Sequence, residues 1–499
     1  MTSKPIHIAL NALDHLPPPN YPNAILYLPL KANVSPKEVF NVLQEGLHRT
    51  FVQLPWLDGK VYPISPISPY APRVLEIRYH SITPDGPRPH QLRFNELESS
   101  ETYEELQESA FHPAAFEDET LTWAPFLPDV TNGTEVFVAQ ANFMPGACIL
   151  TAAICHAASD GMGVISVLKI WADNCKDVQL GNVPQMTQPL EISDRDLLER
   201  TCAEEGTGRS VQQIPPETWR LLGLEAPSHA NPPEAMNGQH QAKHTPAPDA
   251  NGAQRVMKPY IFYMSPANVT ALRDECMKEL GKTQISINDA ICALVWRCLL
   301  KSRTTARGAT DANAVNGDRP AYADDIEARL DLPFDVRPYF SQSLPSNYLG
   351  NFTMINQALL PLSYLVAPST SVGSVARTIR QVASEVTTAS LMDAYTLVKT
   401  IRTGLKLQNL KVDGNGLMIT SLLAFPIAEV CFGETVFGNG GNPEAVRTLM
   451  GAINKVFRYC VILPRKSHGG VEFVANLFDK EMDLLMEDEE FGKYAMFVA

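Results

Sequence analysis

Ala147-Cys148-Ile149-Leu150-Thr151-Ala152-Ala153-Ile154-Cys155, followed at once by His156-Ala157-Ala158-Ser159-Asp160-Gly161, is the stretch on which the reading of this chain turns. The first nine residues form an apolar run of strand length. A helical pattern opens straight after the hexapeptide, with Val164, Val167, Leu168 and Trp171 on one face. A histidine at the end of a rigid strand, with an acid nearby and a glycine turn after it, is how a general base is held at a buried site. The other reading of the same residues is a core histidine before an ordinary Asp-Gly turn. Side chains alternate along a strand, so Cys155 is expected to point away from His156 and into the core.

The chain has 499 residues, more than one core usually fills, so two domains are expected. Hydrophobic content of 45% and charged content of 19% describe a globular protein with ample core. The net charge of −14 argues against nucleic acid or an anionic membrane as partner. The nine cysteines include no Cys-x-x-Cys pair and no zinc spacing, so no metal site is expected. Met1-Thr2-Ser3-Lys4-Pro5-Ile6-His7 has no apolar leader core, and no run approaches membrane-spanning length. These features together predict a reduced, cytoplasmic setting.

Working outward, Ala24 to Leu28 reads as a strand that Pro29 ends, and Lys37 to Thr50 as a helix with Val39, Val42, Leu43 and Leu47 on one stripe. Residues 61–140 are rich in proline and polar residues, with short strand candidates such as Val136-Phe137-Val138-Ala139. From Glu204 to Arg255 periodicity is lost among Pro-Pro and Asn-Gly pairs, the best place for a domain boundary. The expected division is therefore 1–203, a linker 204–255, and 256–499. Order resumes with the strand Tyr260 to Met264 and a helix from Ser265-Pro266. A second helix starts at Ser286, with Asp289 three residues on, and runs to Leu300 through Ala290, Leu294 and Cys298, with Trp296 and Leu299 flanking that face. Glu481 to Phe491 reads as a surface helix with Met482, Leu485 and Met486 inward. Gly281-Lys282-Thr283 lacks the upstream glycine of a phosphate loop, and Gly438-Asn439-Gly440-Gly441 lacks a dinucleotide-binding context.

Further segments fall into order around the histidine. They are Leu13-Asp14-His15, His48-Arg49-Thr50, Ser286-Ile287-Asn288-Asp289, Asp335-Val336-Arg337-Pro338, Asn347-Tyr348-Leu349-Gly350-Asn351, Thr420-Ser421-Leu422, Cys431-Phe432-Gly433 and Asn442-Pro443. In that order and spacing the chain resembles the BAHD acyl-CoA-dependent acyltransferases. Its ending, Asp479-Lys480-Glu481 to Phe497-Val498, is similar to the fungal branch that includes trichothecene 3-O-acetyltransferases.

The resemblance implies an α/β fold of two chloramphenicol-acetyltransferase-like domains with a central channel. Acyl-CoA would enter one mouth and a small-molecule acceptor the other. It implies O-acylation, with acetyl-CoA as co-substrate, of a hydroxyl on an alkaloid, terpenoid or polyketide. No cofactor is bound, no acyl-enzyme forms and the protein acts as a monomer. His156 would be the base and then the acid, since imidazole titrates near neutral pH. Asp160 would turn from it to pair with Arg337, both supporting the site with Gly161 at the turn. Thr420 would donate to the oxyanion, although a buried threonine satisfying its own backbone is the other reading. Asn351, Ser421 and Leu422 would line the substrate and CoA channel, although packing is the safer assignment for Asn351.

Two departures from the family pattern stand out. Leu422 replaces a customary tryptophan, and Cys431 (or Val436, counted back from Pro443) replaces the aspartate of an Asp-Phe-Gly-Trp-Gly segment. The alternatives are N-acylation on the same fold, or a homologue that binds CoA and metabolites without catalysis.

Overall fold

The structure is a computed structural model that describes residues 4–64, 74–183, 190–224, 226, 256–278, 284–311, 326–401 and 412–499. Ala147–Ile154 is a strand buried along all eight residues, as a run apolar on both faces requires. It pairs antiparallel with Phe137–Met144 on one side and Ala24–Pro29 on the other. The full order of this five-stranded sheet is Ala445–Thr448, Ala24–Pro29, Ala147–Ile154, Phe137–Met144, Leu92–Glu96. Cys148, Leu150, Ala152 and Ile154 pack under the helices Pro36–Gln53 and Gly161–Leu180, whose Trp171 indole donates to the Leu43 carbonyl at 2.9 Å. Ala147 and Ile149 meet a smaller cluster with Tyr27 and Phe111 on the opposite face.

A seven-stranded sheet organises the second half, in the order Thr353–Pro361, Glu327–Asp335, Gly416–Ser421, Tyr459–Ile462, Val471–Leu477, Lys258–Met264, Met496–Phe497. The helix that Ser286 opens extends to Asp311, beyond the expected Leu300. Ser286 and Asp289 cap it reciprocally at 2.8 and 3.1 Å. Every residue from Asp289 to Leu300 is buried, because the helix lies between the sheet and the helices Val372–Ser384 and Asp479–Met486. A four-stranded sheet (Ile6–Ala9, Leu75–Tyr79, Lys60–Pro63, Thr134–Glu135) completes the first half.

The halves are tied twice. Ala445–Thr448 leaves the second half and pairs antiparallel with Ala24–Pro29, so one strand of the first sheet comes from the far end of the chain. Of the stretch without periodicity, residues 204–224 and 226 are described. Their short turns Val211–Gln213 and Pro216–Leu222 bury Trp219 and Leu222 against Leu391 and Tyr395 of the helix Thr388–Ile401. Residues 227–255, and Gly281-Lys282-Thr283, lie outside the described residues.

One expectation near the end fails. Met482 and Leu485 are buried, but Met486 is 45% exposed and the helix stops there. Asp488 caps a separate short helix, Glu489–Gly492, by accepting from the Glu490 and Phe491 amides, and so breaks the expected continuous helix. All nine cysteines are free. No described helix is long and apolar enough to cross a membrane.

Candidate active site

His156 stands two residues past the end of its strand, and its backbone is pinned from both sides. Its amide donates to the Asn20 carbonyl at 2.8 Å, and its carbonyl accepts from the Asn351 amide at 2.7 Å. Nδ1 of the imidazole makes no hydrogen bond. Burial lowers its pKa below the ordinary imidazole value, against the opposing pull of its own carbonyl and the Asp160 charge. Cys155 lies in the core, and burial pushes its thiol up to about 12, which removes it as a nucleophile.

Asp160 does not orient the imidazole, because both of its oxygens are taken. One accepts from Arg337 at 2.9 Å and from the Gly163 amide at 3.0 Å. The other accepts from the Phe352 amide at 2.7 Å and the Thr353 hydroxyl at 3.2 Å. Burial alone would raise its pKa; the Arg337 guanidinium and the two amides more than offset this and hold it low. Arg337, 4% exposed, also bonds Asp335 at 2.7 Å and the carbonyls of Tyr348 and Gly350. Asp160 thus caps the helix at Gly161 while closing the two halves of the chain on each other.

The hexapeptide is locked at two further points. The Ser159 hydroxyl donates to the Leu349 carbonyl at 2.7 Å. A Cβ on Gly163 would lie 2.1 Å from that hydroxyl oxygen and 2.7 Å from that carbonyl. Gly163→Ala is therefore expected to cost about 1–3 kcal/mol by overpacking, read as a lower urea midpoint. An unchanged midpoint would mean the contact is not rigid.

Two residues that hold the His156 loop escaped the sequence reading. Asp14, fully buried, accepts from the Asn351 backbone and side-chain amides at 3.0 Å and from Arg195 at 3.3 Å. Arg195 in turn donates to the Ala158 carbonyl at 2.6 Å. Asp14, Arg195 and Asn351 form a floor beneath the loop that carries His156, with the Asn351 side chain spent on Asp14 and the His156 carbonyl. Asp14 stood in a quoted segment; nothing in the sequence marked Arg195.

Thr420 lies on Gly416–Ser421, and its part-exposed hydroxyl accepts from Tyr459 at 2.9 Å. Leu422 is half-buried and packs against the cluster of Ile261, Met450, Val461 and Val474. The segment then reaches the hexapeptide, with the Phe425 ring 3.0 Å from where a Gly161 Cβ would stand. Ser421 points to the opposite face and lines a cavity of about 300 Å³ with Ser286, Asn288, Asn356 and Arg380. The buried side-chain oxygens of Asn288 and Asn356 have no partner.

At the altered Cys431 segment, Gln179 does the holding. Its amide nitrogen donates to the Phe432 carbonyl, and its oxygen accepts from the Thr435 and Val436 amides at 3.0 and 3.2 Å. Gly433, at φ +93°, admits that side chain, since any Cβ would sit 2.5 Å from it.

His156 thus stands on the first half of the chain and Thr420 on the second. A model described as the Transferase family matches residues 107–492, and one described as a trichothecene 3-O-acetyltransferase-like N-terminal domain matches residues 21–175. The chain is 30% identical, over 98% of its length, to the isocyanide synthase-NRPS hybrid crmA of Aspergillus fumigatus. It is 26% identical, again over 98%, to the enoyl-CoA isomerase/hydratase claC of Penicillium crustosum. It spans only 31% and 51% of those two relatives' own lengths. Eremophilane O-acetyltransferase ORF8 of Penicillium roqueforti is 22% identical, with 98% of each chain covered. Among solved structures, F. sporotrichioides TRI101 complexed with coenzyme A and T-2 superposes with a TM-score of 0.71 at 18% identity, covering 99% of this chain and all of that one. Vinorine synthase gives 0.57 at 14% identity, covering 97% and 96%. Both likenesses establish the two-domain α/β fold.

Proposed function

The chain belongs to the Transferase family, whose model covers residues 107–492, and on that premise we propose that it is an acyl-CoA-dependent O-acyltransferase of secondary metabolism. The acyl group is acetyl in the first instance, and the acceptor is a hydroxyl on an alkaloid, terpenoid or polyketide. The observation that carries this reading is His156: a backbone pinned at both ends, an imidazole whose Nδ1 makes no hydrogen bond, and burial that lowers its pKa and so favours the neutral ring. Relatives support it, since ORF8 is named an eremophilane O-acetyltransferase, and the TRI101 structure contains coenzyme A and a trichothecene.

In this reading the acceptor hydroxyl gives its proton to His156 as its oxygen bonds to the thioester carbonyl carbon. The carbonyl oxygen becomes an oxyanion, to which the Thr420 hydroxyl donates. The C–S bond then breaks, and the imidazolium returns the proton to the departing thiolate. No acyl-enzyme is required. Residues 1–203 and 256–499 act as the two domains of this site, with the exchanged strand Ala445–Thr448 fixing one against the other. The nine free cysteines accord with a reducing, cytoplasmic setting, and the protein is read as a monomer.

The test is release of free thiol from acetyl-CoA by the purified protein against a panel of hydroxylated alkaloids, terpenoids and polyketides. Turnover with one of them establishes the activity. Absence of both turnover and acetyl-CoA binding would overturn it. Within that assay Thr420→Val is expected to lower kcat about a hundredfold, the cost of one oxyanion donor, with little change in the KM for acetyl-CoA.

A further inference from the structure

Thr420 is only as good a donor as its one proton is free, and the structure shows what keeps it free. A hydroxyl has one proton and two acceptor positions. Met418 and Tyr459 are register partners on adjacent parallel strands, so Tyr459 and Thr420 share a face one step apart. The Tyr459 hydroxyl donates to Thr420 Oγ1 at 2.9 Å.

Tyr459 itself is firmly placed. Its backbone amide donates to the Asn476 side chain at 2.9 Å, and Asn476 donates in turn to the Phe457 carbonyl at 2.9 Å. The Phe457 ring stands edge-on at 6.1 Å. Neither contact explains why the ring ends in a hydroxyl, since a phenylalanine would pack there equally well.

We propose that Tyr459 is a positioning residue for acyl transfer: it occupies a lone pair of Thr420 and so commits the Thr420 proton to the thioester carbonyl. This rests on the reading of Thr420 as the oxyanion donor. Two physical effects operate together. The accepted bond restricts the rotor of the Thr420 hydroxyl, and it polarises that O–H into a stronger donor. Burial holds the Tyr459 phenol above its ordinary pKa, so it remains a protonated donor wherever the enzyme works.

The test uses acetyl-CoA isotopically labelled at the acyl carbonyl and infrared difference spectra of the bound thioester, which require no acceptor. Four proteins are compared: wild type, Thr420→Val, Tyr459→Phe and the double variant. Tyr459→Phe keeps the ring and its packing, so a folded protein is expected, checked by circular dichroism. A hydrogen bond to the carbonyl lowers its stretching frequency. The wild-type band is expected below that of Thr420→Val, with Tyr459→Phe between the two or level with Thr420→Val. The double variant should match Thr420→Val, because Tyr459 acts only through Thr420. A Tyr459→Phe band coincident with wild type overturns the inference while leaving Thr420 as donor. So does a further shift in the double variant, which would mean Tyr459 acts independently. Coincident bands in wild type and Thr420→Val, or failure to bind acetyl-CoA, remove the reading of Thr420 and this inference with it.

Discussion

Replacing His156 with alanine is expected to lower acyl transfer by about 10²–10⁴-fold, the usual contribution of a positioned general base, in a protein that remains folded. The two halves of that expectation have separate grounds. The rate falls because the imidazole is the titratable group just past the Ala147–Ile154 strand, with Nδ1 unbonded and burial favouring the neutral ring. The fold survives because what His156 contributes to it is backbone. The bonds to the Asn20 carbonyl and from the Asn351 amide pass through atoms that alanine retains. Thiol release measures the first, and the urea midpoint the second. A folded variant with the wild-type rate removes His156 as the base.

The direction of the His156 shift also sets the pH profile. A base must be neutral to act, so kcat/KM rises with pH through the imidazole pKa and levels above it. Burial places that pKa below the ordinary value of about 6.5, so the acid limb should fall below there and the rate should be flat around neutrality.

What could be read before the structure depended on how the information was written into the chain. The apolar strand, the hexapeptide and the helix after it are local patterns, and each stands where the periodicity put it. The pairing of Asp160 with Arg337 is not local: the residues are 177 apart, and only the family resemblance joined them. Arg195 shows why such partners stay hidden. It is one of 41 basic residues, it sits between two aspartates, and its exposure of only 4% reflects partners distant in sequence, among them Asp14, the Ala158 carbonyl and the Trp56 ring. Tyr459 reads as an ordinary strand aromatic until the register places it beside Thr420. The exchanged strand Ala445–Thr448 carries two polar residues in four, which gives a short edge strand little pattern to detect. Met486 failed for the opposite reason. Its spacing fitted the helix stripe, but it is the last residue of its helix and stays 45% exposed, with Asp488 opening a separate helix beyond it.

Removal of the Asp160 carboxylate tests the other half of the site. Asp160→Ala is expected to destabilise the fold by about 3–5 kcal/mol, because it leaves Arg337 buried without its partner and strands the Phe352 and Gly163 amides. Asp335, still 2.7 Å from the guanidinium, holds the loss toward the lower end of that range. Replacing both members, as Asp160→Leu with Arg337→Met, should cost less than the sum of the two single changes, since no charge is then left unpaired. The pH dependence follows from the sign of the shift. The folded carboxyl has a pKa below its ordinary value, so its contribution is fully present above about pH 4 and is lost as the pH falls toward the folded pKa. The gap in urea midpoint between wild type and Asp160→Ala should therefore be constant near neutrality and close on acidification. A gap absent at neutral pH would show that the pair is not structural. Activity separates this role from a catalytic one. Because Asp160 does not touch the imidazole, whatever fraction of Asp160→Ala remains folded should keep most of its turnover per folded molecule, whereas an Asp160–His156 dyad would lose it in folded protein as well.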